Sequence, residues 1–213
     1  MLKVSTGEAV FERDSVLFDE VIYSFPVLAG LLRAAAESEG RLSVLDFGGA
    51  LGSSYYQCKK FLSVLPSLQW GVIEQPHFVK CGQEHFRTEQ LDFFFSISES
   101  IGKIRPGVAL LSSVLQYVPE PYDALNELMQ SEIRYLIIDR TPFGDFDDDI
   151  ITVQHVVASI YPASYPCRIF SRKNFIQRLK NNFEVISQFE SADGAAVIGN
   201  REFTFSGMIL RKI

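Results

Sequence analysis

The chain has 213 residues, 47% hydrophobic and 22% charged, which is enough apolar surface to bury one substantial core and too much for a disordered or low-complexity chain. Its formal net charge of -6 argues against a basic nucleic-acid-binding surface, and no run approaches the ~18 apolar residues of a membrane span. Three cysteines, Cys58, Cys81 and Cys167, lack C-x-x-C spacing and so indicate neither a zinc site nor a disulfide framework; with no basic-then-apolar leader, they point to the reducing cytoplasm.

Over residues 15–36, Val16, Leu17, Val21, Phe25, Leu28, Leu31 and Leu32 recur at largely helical spacing, with Pro26 interrupting. This predicts two helices, or one kinked helix, before any sheet. Tyr23 and Phe25, aromatics at helical spacing, read as core before ligand contacts. Residues 42–47 then form an apolar run ending in Asp46 and Phe47, followed by Gly48, Gly49, Ala50 and Gly52, and residues 53–65 can form a helix ended by Pro66. A buried strand that turns sharply into a helix needs glycine, because the bend is tight and a Cβ would block a ligand from the backbone. The helix start points its free N–H groups into the crevice, so a nucleotide-like ligand is expected at the end of the first strand.

A dinucleotide fingerprint G-x-G-x-x-G begun at Gly48 would require glycine at Ala50 and at Ser53, and fails at both. Asp46 at the strand end suits a ligand with cationic groups and would be awkward beside a pyrophosphate. The next strand, over 69–76, carries Glu74 roughly twenty residues past the turn, where such folds place a carboxylate on vicinal ribose hydroxyls.

A helix is expected over 78–86, a third strand over 91–96, and a fourth over 108–112, continuing into Ser113-Val114-Leu115-Gln116-Tyr117-Val118-Pro119. A helix over 122–129 leads to a fifth strand over 135–139, whose last residue, Asp139, lies at a carboxyl end, where open α/β sheets place their chemistry. The segment 143–170 is too irregular for a simple loop and contains Asp145, Asp147, Asp148, Asp149, His155, Tyr161, Tyr165 and Arg168. Its aspartates read as a solvated run, so no metal is expected. A helix over 175–182 precedes two alternating strands, 183–189 and 203–210, linked through Gly194 and Gly199-Asn200.

Asp46-Phe47-Gly48-Gly49-Ala50-Leu51-Gly52 resembles the first motif, acid-x-G-x-G-x-G, of class I S-adenosylmethionine-dependent methyltransferases, with Ala50 at the middle glycine as the departure. The segment from Val114 to Pro121 is similar to the fourth motif of the small-molecule members. The resemblance implies an α/β, Rossmann-like fold: a seven-stranded, mostly parallel sheet with an antiparallel last strand and helices on both faces. It implies one domain over 1–213, with an N-terminal helical cover (1–40), a cofactor-binding half (41–142), a lid-like insertion (143–170) and a C-terminal helix and strand pair (171–213). S-adenosyl-L-methionine is the implied cofactor. Asp46, Gly48, Gly49, Ala50, Gly52, Glu74, Ser96, Ile97, Ser112 and Gln116 are the implied binding residues, with Ser96 and Ile97 placed beside the adenine by position alone.

The implied acceptor is a small molecule, not nucleic acid or membrane. If it offers a hydroxyl, a base must take the proton, and His155 is the first candidate, with Asp139 and Tyr117 behind it. Leu111 to Tyr117, Ile138 to Pro142, Val153 to His155 and Tyr161 to Pro166 further resemble a group of bacterial methyltransferases associated with surface-polysaccharide gene sets. That suggests a sugar or sugar-derived acceptor. Two other readings remain at this point: a non-catalytic module that retains the fold, and a dehydrogenase that binds NAD.

Overall fold

The computed structural model describes residues 1–5, 11–13, 16–156 and 162–213. Residue 15, where the helical reading begins, and Tyr161, named above, lie outside them. The chain begins with a short helix α1 (Leu2–Ser5) and an antiparallel pair, β1 (Phe11–Arg13) and β2 (Val16–Phe18), before helix α2 (Phe25–Ala36). The helical expectation therefore holds only from Phe25 onward. Pro26 sits in the first turn of α2, where its missing N–H costs nothing, so it starts the helix and does not kink a longer one.

Strands and helices then alternate: β3 (Arg41–Phe47), α3 (Ser53–Leu62), β4 (Ser67–Ile73), α4 (Pro76–His85), β5 (Leu91–Phe94), α5 (Ile97–Ile104), β6 (Val108–Ser112), a 3-10 turn (Leu115–Tyr117), α6 (Pro121–Gln130) and β7 (Tyr135–Gly144). A hairpin, β8 (Ile150–His155) and β9 (Ser164–Ser171), precedes α7 (Arg172–Leu179), β10 (Phe183–Ile198) and β11 (Arg201–Lys212). Seven strands run β10-β11-β7-β6-β3-β4-β5 across the sheet. Strands β3 to β7 pair in parallel, while β11 runs antiparallel to both β7 and β10, which gives the expected reversed last strand.

Segment 143–170 is not a detached insertion. Its strand β9 pairs in parallel with the far end of β7, at Phe143 and Gly144, on the edge left open where β6 has stopped.

Alternation along the strands sorts the core into two layers. Val44, Trp70, Val72, Leu110 and Ile137 pack under α2, α3 and α4 through Leu28, Leu31, Tyr55, Leu62 and Val79. Leu45, Ala109, Leu111, Leu136 and Ile138 face α5, α6 and α7 through Ile97, Leu125, Leu128 and Phe175. Gly30 brings α2 close to the sheet, since a Cβ there would stand 2.8 Å from the Ile137 side chain.

Candidate active site

The carboxyl ends of β3, β4 and β6 lie side by side with the middle of β7, which runs on past Asp139 to Gly144, five residues further than the sequence predicts. Asp46 shares the layer of Val44, Ser112 that of Leu110 and Asp139 that of Ile137, and Glu74, just past the end of β4, is near enough for its charge to act on Asp46. Four polar side chains thus gather at the end of the sheet where ligands of open α/β folds bind.

The glycine turn is shaped by what lies beneath it. Gly48 has φ 72° and a Cβ there would stand 2.3 Å from Val114, so the turn rests on the segment following β6. At Gly49 a Cβ would meet the Asp46 carboxylate at 2.5 Å. Gly52 begins α3 with φ 91° and offers no side-chain cap, which leaves the first N–H groups of α3 directed at the crevice. Ala50 adopts φ 51°, a left-handed conformation that glycine would take without strain.

Asp46 is 1% exposed and accepts a hydrogen bond from Trp70 Nε1 at 3.0 Å. Burial pushes its carboxyl up to about 7, the Trp70 bond pulls it back, and the neighbouring Glu74 charge adds to the rise. Asp46 therefore underpins the turn and does not stand at its surface. Glu74 is half-buried beside the turn: Oε1 accepts from Ala50 N at 3.3 Å and Oε2 from Gln75 N at 2.7 Å.

Ser112 donates to Asp139 Oδ2 at 3.1 Å, and Asp139 is 4% exposed. Burial raises the Asp139 carboxyl above its usual range, while the Ser112 bond and the Arg140 charge oppose the rise. Gln116 is buried, its Nε2 donating to Ser113 Oγ and to the Arg140 carbonyl, each at 3.2 Å. Tyr117 is 38% exposed; its hydroxyl donates to Gln154 Oε1 at 3.0 Å and its ring meets Tyr165 edge-on at 5.3 Å. Burial pushes the Tyr117 phenol up to about 12, so near neutral pH it is a proton donor. His155 is exposed at the end of β8. Because Gln154 turns toward Tyr117, alternation turns His155 to the other face of the strand, away from the Ser112–Asp139 pair.

Ser96 caps α5, its Oγ accepting from Glu99 N at 3.1 Å, while the Glu99 carboxylate accepts from Phe95 N at 2.9 Å. The spacing Ser96-x-x-Glu99 is the sequence signature of such a start; the expected strand over 91–96 therefore ends at Phe94, and α5 follows where no element is expected. Ile97 is buried in the core, whereas Phe95, unremarked in the sequence as one of three consecutive phenylalanines, is 46% exposed at the strand end. Of the acidic run, Asp149 is engaged: it accepts from Tyr122 OH at 2.8 Å and from Ser171 N at 2.9 Å, and it pairs with Arg168 at 3.4 Å. Among the described residues no cluster of three or more His, Cys, Asp or Glu is arranged to hold a metal.

No known family profile and no curated protein matches the sequence. Solved structures do match in fold. The N-terminal domain of EvdMO1, determined in the presence of SAH and D-fucose, superposes with a TM-score of 0.55 at 14% identity, over 96% of this chain and 91% of that one. The glycopeptide N-methyltransferase MtfA complexed with sinefungin gives 0.52 at 10% identity, over 87% and 93%. An S-adenosylmethionine-dependent methyltransferase from Clostridium acetobutylicum gives 0.53 at 10% identity, over 89% and 92%. With this sheet order and these neighbours, the chain has the Rossmann-like class I methyltransferase fold.

Proposed function

We propose that this protein transfers a methyl group from S-adenosyl-L-methionine to a small-molecule acceptor. The observation that carries the reading is the group of polar side chains at this end of the sheet, with Glu74 beside the glycine turn and Ser112 bonded to Asp139. Each Glu74 oxygen holds one backbone N–H and keeps a second lone pair, so the carboxylate fits two vicinal ribose hydroxyls. The turn at Gly48, Gly49, Ala50 and Gly52 and the open start of α3 border the same space. The exposed Phe95 and the cap residue Ser96 follow β5, where an adenine ring would lie, whereas the Ile97 side chain is turned into the core and offers it no contact. When bound, the cofactor supplies an electrophilic methyl on a sulfonium.

The chain's part is to hold the acceptor atom about 3 Å from that methyl and to exclude water. For a hydroxyl acceptor, Asp139 takes the proton ahead of His155, because burial has raised its basicity and it faces the crevice. Tyr117, whose one hydroxyl proton goes to Gln154 Oε1, keeps lone pairs that can accept from the acceptor's hydroxyl or amine and so orient it. A neutral amine acceptor needs no base. We favour a sugar or sugar-derived hydroxyl or amine, supported by the D-fucose present with the EvdMO1 domain and by the resemblance to the surface-polysaccharide-associated group. Three cysteines that are all free in the fold support placing the protein in the cytoplasm.

Calorimetric titration of the purified chain with S-adenosylmethionine, S-adenosylhomocysteine and NAD tests the reading, with Glu74→Ala alongside. Binding of the first two, at least tenfold weaker in the variant and with none for NAD, is expected. No binding of either sulfur ligand at millimolar concentration would overturn it in favour of a non-catalytic module, and selective binding of NAD would restore the dehydrogenase.

A further inference from the structure

Strand β7 does not keep its alternation. Tyr135 and Ile137 pack on the α2 and α3 side of the sheet, but Phe143 packs on the opposite side, with Leu136 and Ile138. Strict period two would return Phe143 to the side of Tyr135. The change occurs at Asp139 and Arg140. Ile138 pairs with Met208 and Thr141 with Ser206, so two residues of β7 oppose the single Gly207 of β11. This is a β-bulge, a device that bends a strand and re-aims its side chains. Gly207 is what allows it, since a Cβ there would stand 2.3 Å from the Ile138 carbonyl oxygen.

The bulge is strained and cross-tied. Arg140 has φ 51°, and Ser113, the residue after β6, has φ 55°. Left-handed conformations at non-glycine residues persist only where their surroundings over-determine them. Here the surroundings converge on one side chain. Gln116 Nε2 donates to both the Arg140 carbonyl and Ser113 Oγ, and Ser113 N donates to the Asp139 carbonyl at 3.0 Å. An amide nitrogen has two hydrogens, and both are used. From outside, the Arg140 guanidinium is held by Asp193 at 2.8 Å.

We infer that Gln116 is a positioning residue: by clamping the left-handed turns after β6 and β7 it holds the Asp139 carboxylate against Ser112 at the rim of the crevice. The inference rests on the methyltransferase reading for what that carboxylate does, but not for the clamp itself. Besides Ser112, the charged and titratable groups that act on or sense Asp139 are Arg140, Asp193 and the buried Cys58 thiol.

The test is a carbon-13 NMR titration of the Asp139 carboxyl in the wild-type chain and in Gln116→Leu, Ser112→Ala and the double variant. Loss of the Ser112 bond removes a contact that favours the ionised form, so Ser112→Ala should raise the midpoint by on the order of one pH unit. Gln116→Leu should raise it similarly, and the double variant should go no further, because both changes break the same contact. A folded Gln116→Leu chain with an unmoved Asp139 midpoint, or shifts that add in full, would overturn the clamp. Gln116→Met, which keeps the unbranched stem, replaces the leucine variant if that fails to fold. Titrating the wild-type sample with S-adenosylhomocysteine separates the two readings, since absence of binding would sink the methyltransferase assignment and leave the clamp to be judged by the NMR result.

Discussion

Ala50 is the residue at which sequence and structure meet most directly. It stands where the resembling motif has glycine, and it adopts φ 51° regardless. A left-handed alanine costs ~1–2 kcal/mol, and glycine would return part of that gain through the greater freedom of its unfolded chain. Ala50→Gly is therefore expected to stabilise the fold by up to ~1 kcal/mol in urea unfolding. Gly48 is the opposite case. Gly48→Ala combines a left-handed φ with a 2.3 Å clash against Val114, and a loss on the order of 3 kcal/mol is expected in the same experiment.

Asp46 sets a pH dependence whose direction is unusual for a carboxylate. Its folded-state value of about 7 exceeds the ordinary aspartate value of 3.8, so between those limits the folded chain holds a proton that the unfolded chain has lost. Stability must then fall as pH rises through that window and level off above it. Asp139, raised in the same direction, adds to the slope. Urea midpoints should be higher at pH 5 than at pH 8 at constant salt, and Asp46→Asn should flatten much of the difference.

At the scale of elements, helix α5 depends on a cap that is easily removed. Ser96→Ala deletes the acceptor for Glu99 N and should cost ~1 kcal/mol, read as a lowered thermal midpoint. The same cap shows why some elements were legible in the sequence and others were not. Strands β3 and β6 and the turn after β3 could be read directly, because a fully buried parallel strand is a short apolar run and glycine marks its exit. Helix α5 escaped because its hydrophobic face is brief and its start is written only in Ser96 and Glu99. Strand β2 falls inside the helical reading of 15–36 because Val16 and Leu17 fit the apolar spacing that continues through Val21 to α2, and a three-residue strand is too short to show a period of its own. The bulge in β7 was not legible at all, since it depends on Gly207 in β11, a partner nearly seventy residues away. For the same reason Gln116 could be listed among site residues from its position, while the two turns it joins could not be foreseen.

At the scale of the whole molecule, the sheet brings together residues of four neighbouring strands, spread from Asp46 to Asp139, so the candidate site forms only when the sheet does. Ligand binding and folding are therefore linked. Under the proposed function, S-adenosylhomocysteine at one hundred times its dissociation constant should add ~2.7 kcal/mol of stability, a rise of roughly 5–10 °C in the thermal midpoint of a domain this size. Glu74→Ala at the same ligand concentration should lose most of that rise, measured from the variant's own ligand-free midpoint, which loses the bonds from Ala50 N and Gln75 N.

The bond from Trp70 to Asp46 has a practical consequence. The chain contains one tryptophan, and its indole N–H is spent on the carboxylate beneath the glycine turn. Any event that changes the charge on Asp46 changes the electric field at that indole. The intrinsic fluorescence of the protein is therefore a single-site optical reporter, with emission that should shift near pH 7 and lose that shift in Asp46→Asn.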